Sequence, residues 1–250
     1  MLTILRRMIF ALALIAAQPL AASAAPFTIA VDQNFPPFIH MQADQPAGLG
    51  IALLQAAASR AGLELRFIPK PFAQVQAAVE MGQADAIFPL SANPQRLERF
   101  HFSEPLISTG GALFVRHPEA TPASVHALHG KTILTPKTGP LGSALRRMAP
   151  NIAQIETQDY DQTLKRLISG EASAAALNLQ VGRQLVLDQY AGQITLPERY
   201  FWEVSLSVAV LKTASAQQEN LERLNAGIRA IVADGSWKSL TDAYNVFVPR

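Results

Sequence analysis

The strongest limit on the fold comes from an alternation of strand and helix patterns between residues 27 and 90. Phe27-Thr-Ile-Ala-Val31 alternates as a strand, and Gly50 to Ala61 places Ile51, Leu54, Ala57, Ala58 and Ala61 at helical spacing, with Gly62 as a stop. Leu63 to Ile68 alternates again, Ala73 to Met81 reads as a second helix ended by Gly82, and Ala86-Ile87-Phe88 is a short buried strand. Strand, helix, strand, helix, strand predicts an α/β domain with a parallel sheet. Such sheets bind ligands at the carboxyl ends of their strands, where Asp32 and the turn from Ser91 to Arg96 both fall.

The second half repeats the logic without repeating the sequence. Gly110 to Val115 reads as a strand, and Pro118, Pro122 and the small residues between them mark a crossing into a second unit. Thr132 to Thr135 is a strand, Pro136-Lys-Thr-Gly-Pro140 a loop of turn formers, and Gly142 to Met148 a helix. Tyr160, Leu164, Leu167 and Ile168 mark an amphipathic helix, and Ala174 to Leu177 is a small-residue strand ending at Asn178. Ser207 to Val210 returns the chain to the first unit. Ser215 with Gln218 then opens a helix whose Leu221, Leu224, Ile228, Ile231 and Val232 are expected to share a buried face, and Trp237, Leu240 and Tyr244 continue the helical spacing.

Residues 1–24 are expected to be an export signal. Arg6 and Arg7 form a positive n-region, Met8 to Ala17 is apolar but too short to span a membrane, and Ala22-Ser23-Ala24 has the small-x-small pattern of a cleavage site. The chain has no cysteine, which excludes a disulfide framework and a lipid-modified cysteine anchor, so a freely soluble periplasmic protein is expected. Setting Arg6 and Arg7 aside leaves 19 basic and 19 acidic residues, a balance that points away from nucleic acid.

Several residues are candidates for a binding site. Ser91 and Asn93 are turn and cap formers, Pro94 suits a first helical turn, and Arg96 follows with a planar guanidinium that matches a carboxylate or phosphate. Together they read as an anion site with backbone N–H groups aimed at the ligand, or as a surface turn with a solvated arginine. Asp32 at a strand end either caps the following loop or meets a donor on a ligand. Phe35 and Phe38, in the Pro-Pro loop, are ligand walls or core plugs. The 136–140 loop either holds an anionic group or only connects. His126 and His129 sit three apart without acidic or cysteine partners and are expected to be exposed rather than a zinc pair. No Gly-x-Ser-x-Gly, His-Glu-x-x-His or Walker-type loop occurs, so neither cofactor nor metal is expected.

Taken in order, Asp32-x-x-Phe-Pro-Pro-Phe38, Gly82-Gln-Ala-Asp85, Asn93-Pro-Gln-Arg96, Phe102-Ser-Glu-Pro105, Gly130-Lys131, and Leu224-Asn225 through Ala233-Asp-Gly-Ser-Trp237 resemble the family-3 extracellular solute-binding proteins, which include periplasmic polar amino-acid receptors of ABC importers. The resemblance spans nearly the whole chain after Ala24. It implies a type II periplasmic-binding fold: two α/β lobes, each a sheet flanked by helices, joined by two crossing hinge strands and closing on a ligand. The lobes are expected at 25–115 with 209–250, and at 116–208. It implies that Arg96 holds the ligand carboxylate with Ser91 nearby, that Phe35 and Phe72 flank the ligand, and that Asp32 contacts its distal part. In the second lobe, Thr138-Gly139 stands at a carboxylate-binding turn and Asn178 where an acidic partner for an α-ammonium is usual.

Departures from the family pattern bear on the ligand. An amide at Asn178 does not neutralise a buried cation, so a carboxylate without an α-ammonium, or a ligand whose amine meets Asp32, fits better. The resulting expectation is a monomeric binding protein that captures a small carboxylate-bearing solute for a membrane permease or sensor, and not an enzyme. Two alternatives stand beside it. One is a dehydratase acting on cyclic carboxylates, with Asp32 or Glu203 as the acid. The other is a periplasmic accessory protein with a vestigial cleft.

Overall fold

The structure is a computed structural model that describes residues 25–137, 139–244 and 246–247. The export signal expected at 1–24 therefore lies outside the described residues. Among the described residues no helix is long and apolar enough to cross a membrane.

The first lobe begins with β1 (Phe27–Asp32), a hairpin of β2 (His40–Gln42) and β3 (Gln45–Ala47), and helix α1 (Leu49–Ala61). It continues through β4 (Leu65–Lys70), α2 (Phe72–Glu80), β5 (Ala86–Leu90), the six-residue helix α3 (Pro94–Arg99) and β6 (Phe100–Phe102). β1 runs parallel to β4, with Phe27 opposite Leu65 and Asp32 opposite Lys70, and parallel to β5 on its other side. Every residue of β1 and β5 is buried, because helices cover both faces of a parallel sheet.

β7 (Ile107–Arg116) carries the chain into the second lobe. There follow a short 3-10 turn (Val125–Leu128), β8 (Thr132–Pro136), α4 (Leu141–Met148), β9 (Ala153–Thr157), α5 (Tyr160–Ile168), β10 (Ala174–Asn178), α6 (Leu179–Gln189) and β11 (Ile194–Thr195). β12 (Trp202–Leu211) returns to the first lobe, which α7 (Ser215–Ala233) and α8 (Ser236–Ala243) complete. The sheet order is β4-β1-β5-β12-β7-β10-β8-β9. Read outward from the β12–β7 pair, each half is an antiparallel strand and then three parallel ones, β5-β1-β4 in one lobe and β10-β8-β9 in the other. The lobes therefore share a structural plan with no repeat visible in their sequences.

Each sheet is packed on both faces. In the first lobe Leu53, Leu54 and Ala57 of α1 meet Leu224, Ile228 and Ile231 of α7 over one face, and Val75, Ala78 and Val79 of α2 cover Ile87 on the other. In the second, Leu164, Leu167 and Val186 cover one face, and Leu145 and Ala149 the opposite one. The two cores divide the chain within the long strands. Ala112 to Val115 pack in the second lobe, whereas Leu206 and Val208 pack in the first. Between these points β7 and β12 pair only with each other through Thr109, Ser108 and their opposites Val204 and Ser205. The boundaries read from sequence, 115 and 208, lie inside these two strands.

The chain crosses between the lobes once more. Val246 packs against the first-lobe core, while Phe247 packs against the second, with the Arg183 guanidinium 4.1 Å from its ring centroid.

Candidate functional site

Because β1, β4 and β5 are parallel, their carboxyl ends share one edge of the first lobe, and the ends of β8, β9 and β10 share the corresponding edge of the second. Asp32 ends β1, Lys70 ends β4 just before Phe72, and Ser91 follows β5. Asn178 ends β10 and Tyr160 opens α5 just beyond β9. The two edges are close enough for the Asp32 charge to help push the Tyr160 hydroxyl, already raised by burial, to a pKa of about 12.

Arg96 is half-buried, and its Nη1 donates to the Ser91 carbonyl at 2.9 Å and the Ser91 hydroxyl at 3.0 Å. Burial lowers its pKa, but a guanidinium stays charged at neutral pH. Among the described residues no carboxylate lies within ion-pair distance of it. Two of the backbone donors beside it are committed. Asn93 Oδ1 accepts from the Arg96 N–H at 2.8 Å, the Asn93 carbonyl accepts from the Leu97 N–H at 2.9 Å, and Pro94 has no N–H. Nε and Nη2 of Arg96 donate to no protein group among the described residues.

Asp32 is 6% exposed, and Oδ1 accepts from the Asn34 N–H at 3.1 Å; no other hydrogen bond reaches its carboxylate among the described residues. Burial raises its pKa, partly offset by that N–H. It therefore caps the loop that follows β1. Phe35 stacks on Phe38 with ring centroids 5.4 Å apart, and Phe38 is a core residue while Phe35 is only partly buried. Phe72 is 40% exposed at the start of α2.

In the second lobe Gly139 adopts φ +87° ahead of α4, a conformation that suits glycine, and Thr138 lies outside the described residues. Asn178 is 8% exposed and both ends of its amide are engaged within the protein. Oδ1 caps α6 by accepting from the Val181 N–H at 3.2 Å, and Nδ2 donates to Thr109 Oγ1 at 2.7 Å. Thr109 donates onward to Gln180 Oε1 at 2.7 Å, and Gln180 Nε2 donates to the Tyr200 hydroxyl and, at 3.1 Å, to the Phe247 carbonyl. This buried network ties the cleft end of β10 to the hinge and the tail. Thr109, Gln180 and Tyr200 carry no sequence signal for this role, because their partners lie far away along the chain.

A model of the bacterial extracellular solute-binding proteins, family 3, matches residues 27–247. The chain belongs to this family. No curated protein matches it by sequence. Among solved structures, the second substrate-binding domain of a putative amino acid ABC transporter from Streptococcus pneumoniae is 25% identical, with a TM-score of 0.67 over 87% of this chain and 99% of that one. An ancestral arginine-binding protein bound to glutamine is 20% identical, with a TM-score of 0.71 over 88% and 97%. A histidine kinase sensor domain with similarity to periplasmic binding proteins is 18% identical, with a TM-score of 0.76 over 90% and 98%. The two-lobed type II fold is common to all three.

One property of this solute-binding protein follows from Asp32 alone. Its pKa in the folded state lies above the ordinary 3.8, so the protonated acid favours folding below that pH, and the contribution is lost as pH rises through the folded value. At neutral pH the buried carboxylate opposes folding. Asp32→Asn is expected to raise Tm at pH 7, with the gain shrinking to nothing below about pH 3.8. A pH series of thermal melts checks this, and a gain of equal size at every pH would assign it to packing instead.

Proposed function

We propose that this family-3 protein captures a small carboxylate-bearing solute between its lobes in the periplasm and, as a monomer, presents the closed, loaded form to a membrane partner. The observation that carries this reading is the half-buried Arg96 guanidinium, steadied on Ser91 and without a carboxylate of its own among the described residues. A planar fork held in that way matches a ligand carboxylate with two parallel hydrogen bonds. Asp32 supports it from the same lobe as an acceptor for a ligand N–H or O–H. Phe35 and Phe72 supply apolar walls at the adjoining strand ends, and the turn at Gly139 adds backbone donors from the opposite lobe. With both ends of its amide engaged, Asn178 shapes the floor of the site rather than pairing with a ligand cation.

The similarity to an ABC transporter domain favours an importer as the partner, and the similarity to a kinase sensor domain makes a sensor the alternative. Family and neighbours are binding proteins, which favours capture over catalysis.

A thermal-shift screen of the purified chain against amino acids, amines, keto acids and cyclic carboxylates tests the reading. A carboxylate at about a hundred times its Kd stabilises by about 2.7 kcal/mol and raises Tm by roughly 5–10 °C. Stabilisation by amines alone would overturn the carboxylate assignment, and silence across the panel would turn the reading toward an accessory protein that works through its surface.

A further inference from the structure

The second lobe carries a cavity of about 240 Å³ at the edge opposite the candidate site. It lies between the 3-10 turn Val125–Leu128, which leads into β8, and the segment from the end of α4 to Ile152, which leads into β9. It therefore sits by the amino ends of the parallel strands whose carboxyl ends face the cleft. His126, His129 and Met148 line it, and Ala149, Pro150 and Ile152 make most of the remaining wall apolar.

The local fold explains the juxtaposition. Val125 and Leu128 are buried in one core with Leu145, Ala149 and Ile152. Side chains three apart in a 3-10 turn eclipse, so burying that pair stacks His126 and His129 on the neighbouring stripe. The His129 N–H closes the turn on the His126 carbonyl at 3.2 Å. Met148, the last residue of α4, packs on the same core and is half-buried. Two imidazoles and a thioether thus border one space from two elements, and only the histidine pair is visible in the sequence spacing.

The donors decide which ion they suit. No carboxylate lines the cavity, and neither histidine forms an ion pair among the described residues. No group of three histidine, cysteine or acidic side chains among those residues is placed to hold a metal ion, which argues against an ordinary zinc site with three or four such ligands. Methionine sulfur is a soft donor that selects Cu(I), and imidazole serves copper as well. A set without negative charge suits a monovalent ion better than a divalent one, the more so with Lys131 and Arg147 close by in the chain.

We infer that His126, His129 and Met148 form a binding site for a soft monovalent metal ion, Cu(I), on the second lobe and away from the cleft. Each imidazole gives one nitrogen and Met148 its Sδ. All three ligands belong to one lobe, so the site needs no lobe closure and is independent of what Arg96 holds.

The test is a competition titration of the purified chain with Cu(I), kept reduced under anaerobic conditions, against a chromogenic Cu(I) chelator. One ion per chain is expected. His126→Ala, His129→Ala and Met148→Leu should each weaken it about tenfold or more, since loss of a group that merely supports a ligand already costs about that much. Leucine keeps the volume of Met148 and both histidines are exposed, so Tm without metal should hold in all three, and the loss in Met148→Leu reports the sulfur. His40→Ala and Met41→Leu, on the exposed strand β2, remove a histidine and a methionine elsewhere and should change nothing. Zn(II) should bind about a hundredfold more weakly or worse. No binding of Cu(I), affinity unchanged in the three site variants, or loss in the β2 variants overturns the site. Loss in both histidine variants with none in Met148→Leu, or zinc bound as tightly as Cu(I), overturns the soft-ion assignment.

Discussion

Gly227→Ala is expected to destabilise the protein by about 3 kcal/mol or more. A Cβ at this position would lie 2.0 Å from the Ala57 carbonyl oxygen and 2.7 Å from its carbon, and a backbone carbonyl cannot rotate away as a side chain can. The helices α1 and α7 would have to separate, and with them Leu224, Ile228 and Ile231, which close one face of the first-lobe sheet. Close-packed interiors do not absorb such a shift locally. Urea unfolding reads it as a lower midpoint with an unchanged slope. The same substitution at Gly142 should have the opposite sign. There the nearest atom is Thr135 Cγ2 at 3.6 Å, an ordinary contact, and alanine in a helix is favoured over glycine by about 0.8–1 kcal/mol. A similar loss at both positions would show that helix contact distance is not the cause.

The second large effect is on binding. Arg96→Ala should weaken any carboxylate found in the screen by about 2–5 kcal/mol, roughly 30-fold or more, because the ligand's charge is left unpaired in a partly desolvated site. Fold stability should change by less than about 1 kcal/mol, since the side chain bonds only to Ser91 and is half exposed. Arg96→Lys should recover part of the affinity, as a point charge without the planar fork. Calorimetry alongside unfolding separates the two readouts. Unchanged affinity in Arg96→Ala would remove this residue from the site.

The elements legible in the sequence are those with strong periodicity. β1, α1 and α7 each carry a clean apolar pattern, and their limits fall within a residue or two of those expected. Helix α6 escaped notice because it is buried on several sides, so Leu179, Val181 and Val186 mark no single stripe, and Gly182 looks like a breaker. The reason for that glycine lies elsewhere: a Cβ there would meet the Phe114 ring at 2.5 Å. β9 is a half-exposed edge strand, and the β2–β3 hairpin turns at Ala43 with φ 51°, where glycine or asparagine would have announced the turn.

Four of the motifs that carried the family resemblance, those at Asp85, Ser103, Asn225 and Trp237, are scaffolding. Asp85 accepts from the Thr28 N–H at 2.8 Å and from Gln217 at 2.9 Å, Ser103 accepts from the Val208 N–H at 3.0 Å, and Asn225 accepts from the Glu104 N–H at 2.8 Å. Trp237 donates to the Leu106 carbonyl at 2.9 Å. These bonds fix the first lobe against its hinge strands, so they specify the fold and say little about the ligand. The candidate site was legible in position, since Asp32, the Ser91–Arg96 turn and Asn178 fall at the carboxyl ends of strands as expected. The hydrogen bonds of Asn178 were not, because its amide meets Thr109 from 69 positions away.

The segment that crosses between the lobes at Val246 and Phe247 is a good place for a probe of lobe movement. Rotation of one lobe against the other must either carry Phe247 with the second lobe or pull it from Arg183 and from the Gln180 amide. A dye attached there would brighten or dim with the state of the cleft, through a chain of contacts that runs from Phe247 through Gln180 and Thr109 to Asn178.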